Sequence, residues 1–280
     1  MAAENFSPSL ALVLRYEGGF VNNPKDPGGA TNYGVTQATY DAFRRSRNMP
    51  CVSVRYIAKA ERNAIYRREY WDRVAGDGLP AGLDFATFDG GVNSGVSRGA
   101  KWLQGALGVA KDGKVGMKTL AAANGTLERT KVIRDMCAAR LSFLHRLTHW
   151  KTFGKGWSAR VANVEAEASR MALEAVSLPA DKIREHLGTQ GAAAKLQAKK
   201  ESAKSATSAG AATASGITAD QTPDASAIAP AGLEHLWPWI LGGVCVAALV
   251  VAGIYLYRTH VNKTRAAAYG AQLKALFENL

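Results

Sequence analysis

Glu17 closes a short apolar run and is followed at once by Gly18 and Gly19. Leu10, Val13 and Leu14 precede it at three- and four-residue spacing, which predicts an amphipathic helix with Glu17 in its last turn. Unpaired carbonyls at a helix C-terminus carry partial negative charge and disfavour a carboxylate there. A carboxylic acid that keeps its proton is what a glycosidic leaving oxygen needs from a general acid. The double glycine stops the helix and lets backbone or substrate come close. Taken alone, the pattern favours the plainer reading of a solvated glutamate at a helix end.

The following residues shift that balance. From Glu17 to Thr36 the chain reads EGGFVNNPKDPGGATNYGVT, too dense in Gly, Asn and Pro for a helix, and a small β-hairpin is predicted within Phe20 to Val35. The segment, with its Asn22, Pro24, Asp26, Pro27-Gly28-Gly29-Ala30-Thr31 and Tyr33-Gly34-Val35-Thr36, resembles the signature of the family 108 glycoside hydrolases, which are peptidoglycan muramidases. Phe88 to Gly95, Trp102-Leu103-Gln104, Leu107-Gly108-Val109, Asp112-Gly113, Val115-Gly116 and Thr119-Leu120 resemble the peptidoglycan-binding segment associated with that family. Gly154-Lys155-Gly156-Trp157 with Arg160-Val161 resembles its closing part, so the likeness covers about residues 8–176. It implies a mainly α, lysozyme-like helical fold with a small hairpin. It also implies Glu17 as catalytic acid and peptidoglycan glycan strands as substrate.

Asp26 lies nine residues after Glu17, the spacing that the resemblance to phage-type lysozymes assigns to a second carboxylate. It would orient a water for attack on the anomeric carbon. As an Asp before Pro-Gly it reads equally well as a turn former. Thr31 and Asn32 are alternative water-holding groups on the same hairpin, and Tyr33 reads either as a sugar-stacking ring or as core. Asp89 and Asn93, four residues apart, lie one helical turn from each other and are candidates for lining the cleft opposite Glu17. Their plainer readings are a helix N-cap and a satisfied buried amide. Trp71, Trp102, Trp150 and Trp157 have apolar neighbours and are expected in the core. The five His residues are scattered, and His145 and His149 lack the intervening Glu of a zinc-protease helix. No metal and no cofactor are expected.

These residues need elements to position them. Helical patterns run over 36–46, 55–74, 97–108, 116–123, 126–150 and 158–176, with Ser7-Pro8 as the expected start of the first helix. The catalytic region is expected at 1–95 and the peptidoglycan-binding helical segment, packed on it, at 96–178. The first 178 residues hold 25 Lys and Arg against 16 Asp and Glu, a net of +9 out of +12 for all 280 residues. That excess favours a polyanionic partner. The bacterial wall and anionic lipid fit the remaining features, and no nucleic-acid motif is present. The three cysteines lack metal-ligand spacing and are expected to be free, buried thiols.

Residues 179–235 turn to Ala, Ser, Thr, Gly and Lys, a composition that cannot bury enough surface to offset its conformational entropy. They predict a flexible tether, although their first part could extend the preceding helix through about Ser205. Residues 236–257 then form 22 uncharged residues with Trp237 and Trp239 at one end and Tyr255 and Tyr257 at the other. Such a run predicts a transmembrane helix in the lipid bilayer. No Lys or Arg occurs in the 20 residues before it, whereas Arg258, Lys263, Arg265 and Lys274 follow it. The positive-inside rule then makes 258–280 a cytoplasmic tail and puts the globular region on the periplasmic side of a bacterial inner membrane. The N-terminus has neither a basic region nor a long apolar one, so no cleavable signal peptide is expected.

Overall fold

The computed structural model describes residues 2–22, 29–215 and 237–278. Helix α1 spans Phe6–Leu14 and so begins before Ser7-Pro8. Pro8 is tolerated there because the first four N–H groups of a helix have no intrahelical partner. Asn5 stands at the cap position, but its amide donates to Asp84 Oδ2 at 2.9 Å instead of capping. The helix stops at Leu14. The N–H groups of Arg15, Tyr16 and Glu17 then bond to carbonyls three residues back, at 3.3, 3.0 and 3.3 Å, in single tightened turns. Glu17 therefore lies just past the helix rather than in its last turn.

The expected hairpin forms from β1 (Thr31–Asn32) and β2 (Val35–Thr36), antiparallel, with Thr31 opposite Thr36. Its loop is Tyr33 and Gly34, with φ of 49° and 71°. Two successive left-handed residues are what a two-residue turn needs to match strand twist. Val21 extends the pairing by bridging Thr31.

Helices α2 (Gln37–Arg45), α3 (Lys59–Tyr66), α4 (Leu83–Ser94), α5 (Val96–Ala106), α6 (Met117–Gly125), α7 (Arg129–His145) and α8 (Trp150–Glu174) follow. Thr36 caps α2, its hydroxyl accepting from Thr39 N at 3.2 Å. α3 passes into a π-turn, Arg67–Trp71, that buries Trp71 against Phe88 and Phe6 in edge-on contacts at 5.3 and 5.5 Å. α4 is the centre of the fold, packed against α1, α5, α7 and α8, and every residue from Leu83 to Gly91 is buried. α5 crosses it closely enough that a Cβ on Gly99 would stand 2.8 Å from Gly91 N.

Residues 1–183 form one compact unit, and residues 184–280 form a second. The segment expected as a tether is helical through Ser215, as α9 (Ala180–Ser215). Its Ala, Lys, Gln and Glu content lacks core-forming bulk but has high intrinsic helix propensity. In the second unit, helix α10 (Trp237–Glu278) runs through the expected span and into the expected tail. Ser205 donates to the Ala252 carbonyl at 3.2 Å there, and Ala194, Ala198, Ala252 and Ala268 are buried. Among the described residues no helix is long and apolar enough to cross a membrane. Residues 216–236, and the side chains of 237–245, lie outside the described residues, so the predicted span at 236–257 is described only from Val246 onward. Cys137 is buried, as expected, whereas Cys51 is exposed.

Candidate active site

Glu17 meets α8 through Arg160, whose Nη1 donates to Glu17 Oε1 at 3.2 Å. The Glu17 side chain keeps 18% of its surface exposed, enough for a ligand to reach the carboxyl. The same guanidinium grips Asp89 on α4, with Nη2 to Oδ1 at 2.9 Å and Nε to Oδ1 at 3.1 Å. Arg140 from α7 binds Asp89 Oδ2 at 2.6 Å and Asn93 Oδ1 at 3.0 Å. Two guanidinium groups therefore converge on the buried Asp89, and one of them also reaches Glu17. Burial pushes the Asp89 carboxyl up, but the charges of Arg140 and Arg160 outweigh it and hold it below the usual carboxylate range. Burial also works against the charge on Arg160, which Asp89 and Glu17 more than restore.

The hairpin forms the other wall. Tyr33 N donates to the Gly18 carbonyl at 3.0 Å, docking the turn on the residue after Glu17. Tyr66 donates its hydroxyl to the Tyr33 carbonyl at 2.8 Å, which holds a non-glycine residue in the left-handed region. A Cβ on Gly34 would lie 2.7 Å from Tyr66 Oη and 2.8 Å from Glu17 Oε2, so the turn, the phenol and the acid converge where glycine leaves room. Burial and then the negative charge of Glu17 push the Tyr66 phenol far up, and it stays a neutral donor. The same two causes, in the same order, raise the phenol of Tyr70.

The sequence-predicted residues are thus only partly assembled. Glu17 and Tyr33 meet at the turn, with Tyr33 39% exposed and the Arg62 guanidinium 5.0 Å over its ring. Asn93 joins through Arg140, not by facing Glu17. Thr31 spends its hydroxyl on the Gly29 carbonyl at 3.2 Å, and Asn32 is buried with its amide donating to Val54 O and Arg55 O. Asp26 lies outside the described residues. Asp89 is neither an N-cap nor a cleft carboxylate but the buried anchor of two arginines. Trp71 is in the core as expected, while Trp102, Trp150 and Trp157 are half-buried. Sequence reasoning missed Arg140, Tyr66 and Tyr70, and it gave Arg160 no role. Asp89, inside the largely apolar stretch Phe85 to Val92, is the signal that could have pointed to buried counter-charges.

A cavity of about 890 Å³, lined by residues that include Asn5, Pro8, Asp77, Arg129 and Glu174, contains none of these groups.

Residues 10–95 match the family model described as "Glycosyl hydrolase 108", and residues 98–162 match the model described as "Predicted Peptidoglycan domain". The solved structure of Brucella abortus SagA is 43% identical, with a TM-score of 0.53, covering 61% of this chain and 97% of that one. Curated proteins gave no match. The family models define a glycoside hydrolase with a peptidoglycan-associated segment. The chain belongs to the glycosyl hydrolase 108 family.

Proposed function

We propose that this chain is a lysozyme-type muramidase that cleaves the β-1,4 bond between N-acetylmuramic acid and N-acetylglucosamine in peptidoglycan. The observation that carries this reading is the partly exposed Glu17 carboxyl, fixed between Arg160 and the Tyr33–Gly34 turn. Glu17 protonates the leaving oxygen and becomes a carboxylate, and Arg160 stands ready to stabilise that charge. A water, placed by Asp26 or a hairpin hydroxyl, attacks the anomeric carbon. Arg140 and Arg160 come from the segment matched by the peptidoglycan-domain model, and Glu17 from the segment matched by the hydrolase model. Both segments therefore contribute to one site.

One observation favours a second reading, a lytic transglycosylase. The other carboxylate beside Arg160 is Asp89, which is buried and bound by two arginines, so it is no base for water. A site with Glu17 acting alone would form an anhydro product without water. Digestion of isolated sacculi in heavy-oxygen water separates the two. Label in a new reducing end supports hydrolysis, and unlabelled fragments lighter by one water support the transglycosylase. No release at all would favour a wall-binding protein without catalysis.

Residues 236–257 act in this reading as an inner-membrane anchor, with the globular unit periplasmic and residues 258–280 cytoplasmic. The uncharged run supports this, as do the exposed Val246, Leu249, Val250, Ile254 and Leu256 along α10. Fractionation of cells expressing the full chain and a chain ending at residue 235 tests it. The anchor predicts that only the full chain sediments with membranes.

A further inference from the structure

α8 carries two glycines in its first two turns, each of which weakens a helix by about 1 kcal/mol relative to alanine. Gly154 has a packing reason, since a Cβ there would stand 2.7 Å from the Trp150 ring. Gly156 has none. It is exposed, a Cβ on it would meet nothing within 4 Å, and its φ is ordinary. A bare helical surface maintained at a cost in stability suits something that comes and goes.

Its neighbours say what. Gly156 lies four residues before Arg160 and three after Phe153, so all three lie close to one line along the helix, roughly 10 Å from end to end. At one end Arg160 holds Glu17 and passes under the Tyr16 ring at 4.9 Å. At the other, Phe153 is 53% exposed, with its ring 5.8 Å from that of Trp157. A large aromatic face left in water beside a flat backbone patch is the geometry that stacks against the apolar face of a sugar ring.

We propose that Phe153 and Gly156 form a glycan-binding platform that holds the peptidoglycan strand next to the bond presented to Glu17. Gly156 lets a sugar lie against the helix backbone, and Phe153, steadied by Trp157, stacks on the next unit. This assignment rests on the reading of the chain as a peptidoglycan hydrolase.

The test uses the full chain with Glu17→Gln as parent, so that sacculi stay intact, and measures co-sedimentation with them. Added to this parent, Gly156→Ala should raise the melting temperature by about 2–4 °C, as helix propensity predicts for a domain of this size. It should also raise the sacculus concentration needed for half-binding about five- to tenfold, the scale of one lost contact. Phe153→Ala should weaken binding similarly with its melting temperature unchanged. A more stable protein that binds worse cannot be explained by misfolding. If both variants sediment like the parent, the platform is overturned. Glu17-dependent cleavage by the otherwise wild-type chain would then still support the hydrolase reading. A parent that fails to sediment, together with a wild type that releases nothing, overturns both.

Discussion

Arg160 bonds Glu17 at 3.2 Å with one guanidinium nitrogen and Asp89 at 2.9 Å with the other, so α8 ties the acid to the buried centre of the fold. The acid sits on a turn three residues beyond a helix, a place with little rigidity of its own. Its position depends on a side chain 143 residues away. Arg160→Lys keeps the charge but loses the planar fork that serves two carboxylates. We expect kcat on sacculi to fall about tenfold or more. The far-UV circular dichroism should stay native.

Asp89 neutralises two buried guanidinium groups, and Asp89→Asn would leave them facing an amide. Removing one partner of a buried pair costs about 3–5 kcal/mol, which urea denaturation would register as a lower midpoint at unchanged slope. The pH dependence carries the same signature. With its pKa held below the usual range, Asp89 adds stability that is present above about pH 4 and is lost as pH falls through the folded value. The wild type should lose its advantage over Asp89→Asn in that acid limb.

Asp84 predicts the opposite slope. Burial outweighs its bonds from Asn5 and Phe85 and raises its carboxyl from the usual 3.8 to about 6. Between those values the native state holds a proton that the unfolded chain has lost, so this group's contribution falls as pH rises from about 4 to about 6. Asp84→Asn should be free of that loss. Its stability relative to wild type should rise by about 2–3 kcal/mol across that window, read from denaturation curves at each pH.

Gly34→Ala places a methyl group within 3 Å of both Tyr66 Oη and Glu17 Oε2, at a φ of 71°. The backbone conformation alone costs about 1–2 kcal/mol. Because the methyl also displaces the acid, activity should fall further than stability explains. Comparing kcat with the melting temperature for Gly34→Ala and for Tyr66→Phe separates the two effects. Tyr66→Phe loosens the turn without crowding Glu17.

The parts legible in the sequence are those with a local signal. The hairpin was announced by its Gly, Asn and Pro density, and the end of α1 by an apolar run stopped near two glycines. The amphipathic helices α2, α3 and α5–α8 showed in their periodicity. α4 did not, because a helix buried on all sides has no polar face and therefore no period. The arginines that complete the site were illegible for a related reason. An Arg on α7 or α8 looks like any solvated Arg until the fold brings it to Asp89, and that pairing spans 51 and 71 residues. α9 marks the limit of composition, since the residues that forbid a core also favour a helix.

The most direct measurement is the release of soluble muropeptides from isolated sacculi by the full chain and by its Glu17→Gln variant, analysed by mass. Reducing-end fragments from the wild type and none from the variant, with both equally folded, is the predicted result. Release by Glu17→Gln at the wild-type rate would contradict it and remove Glu17 as the acid.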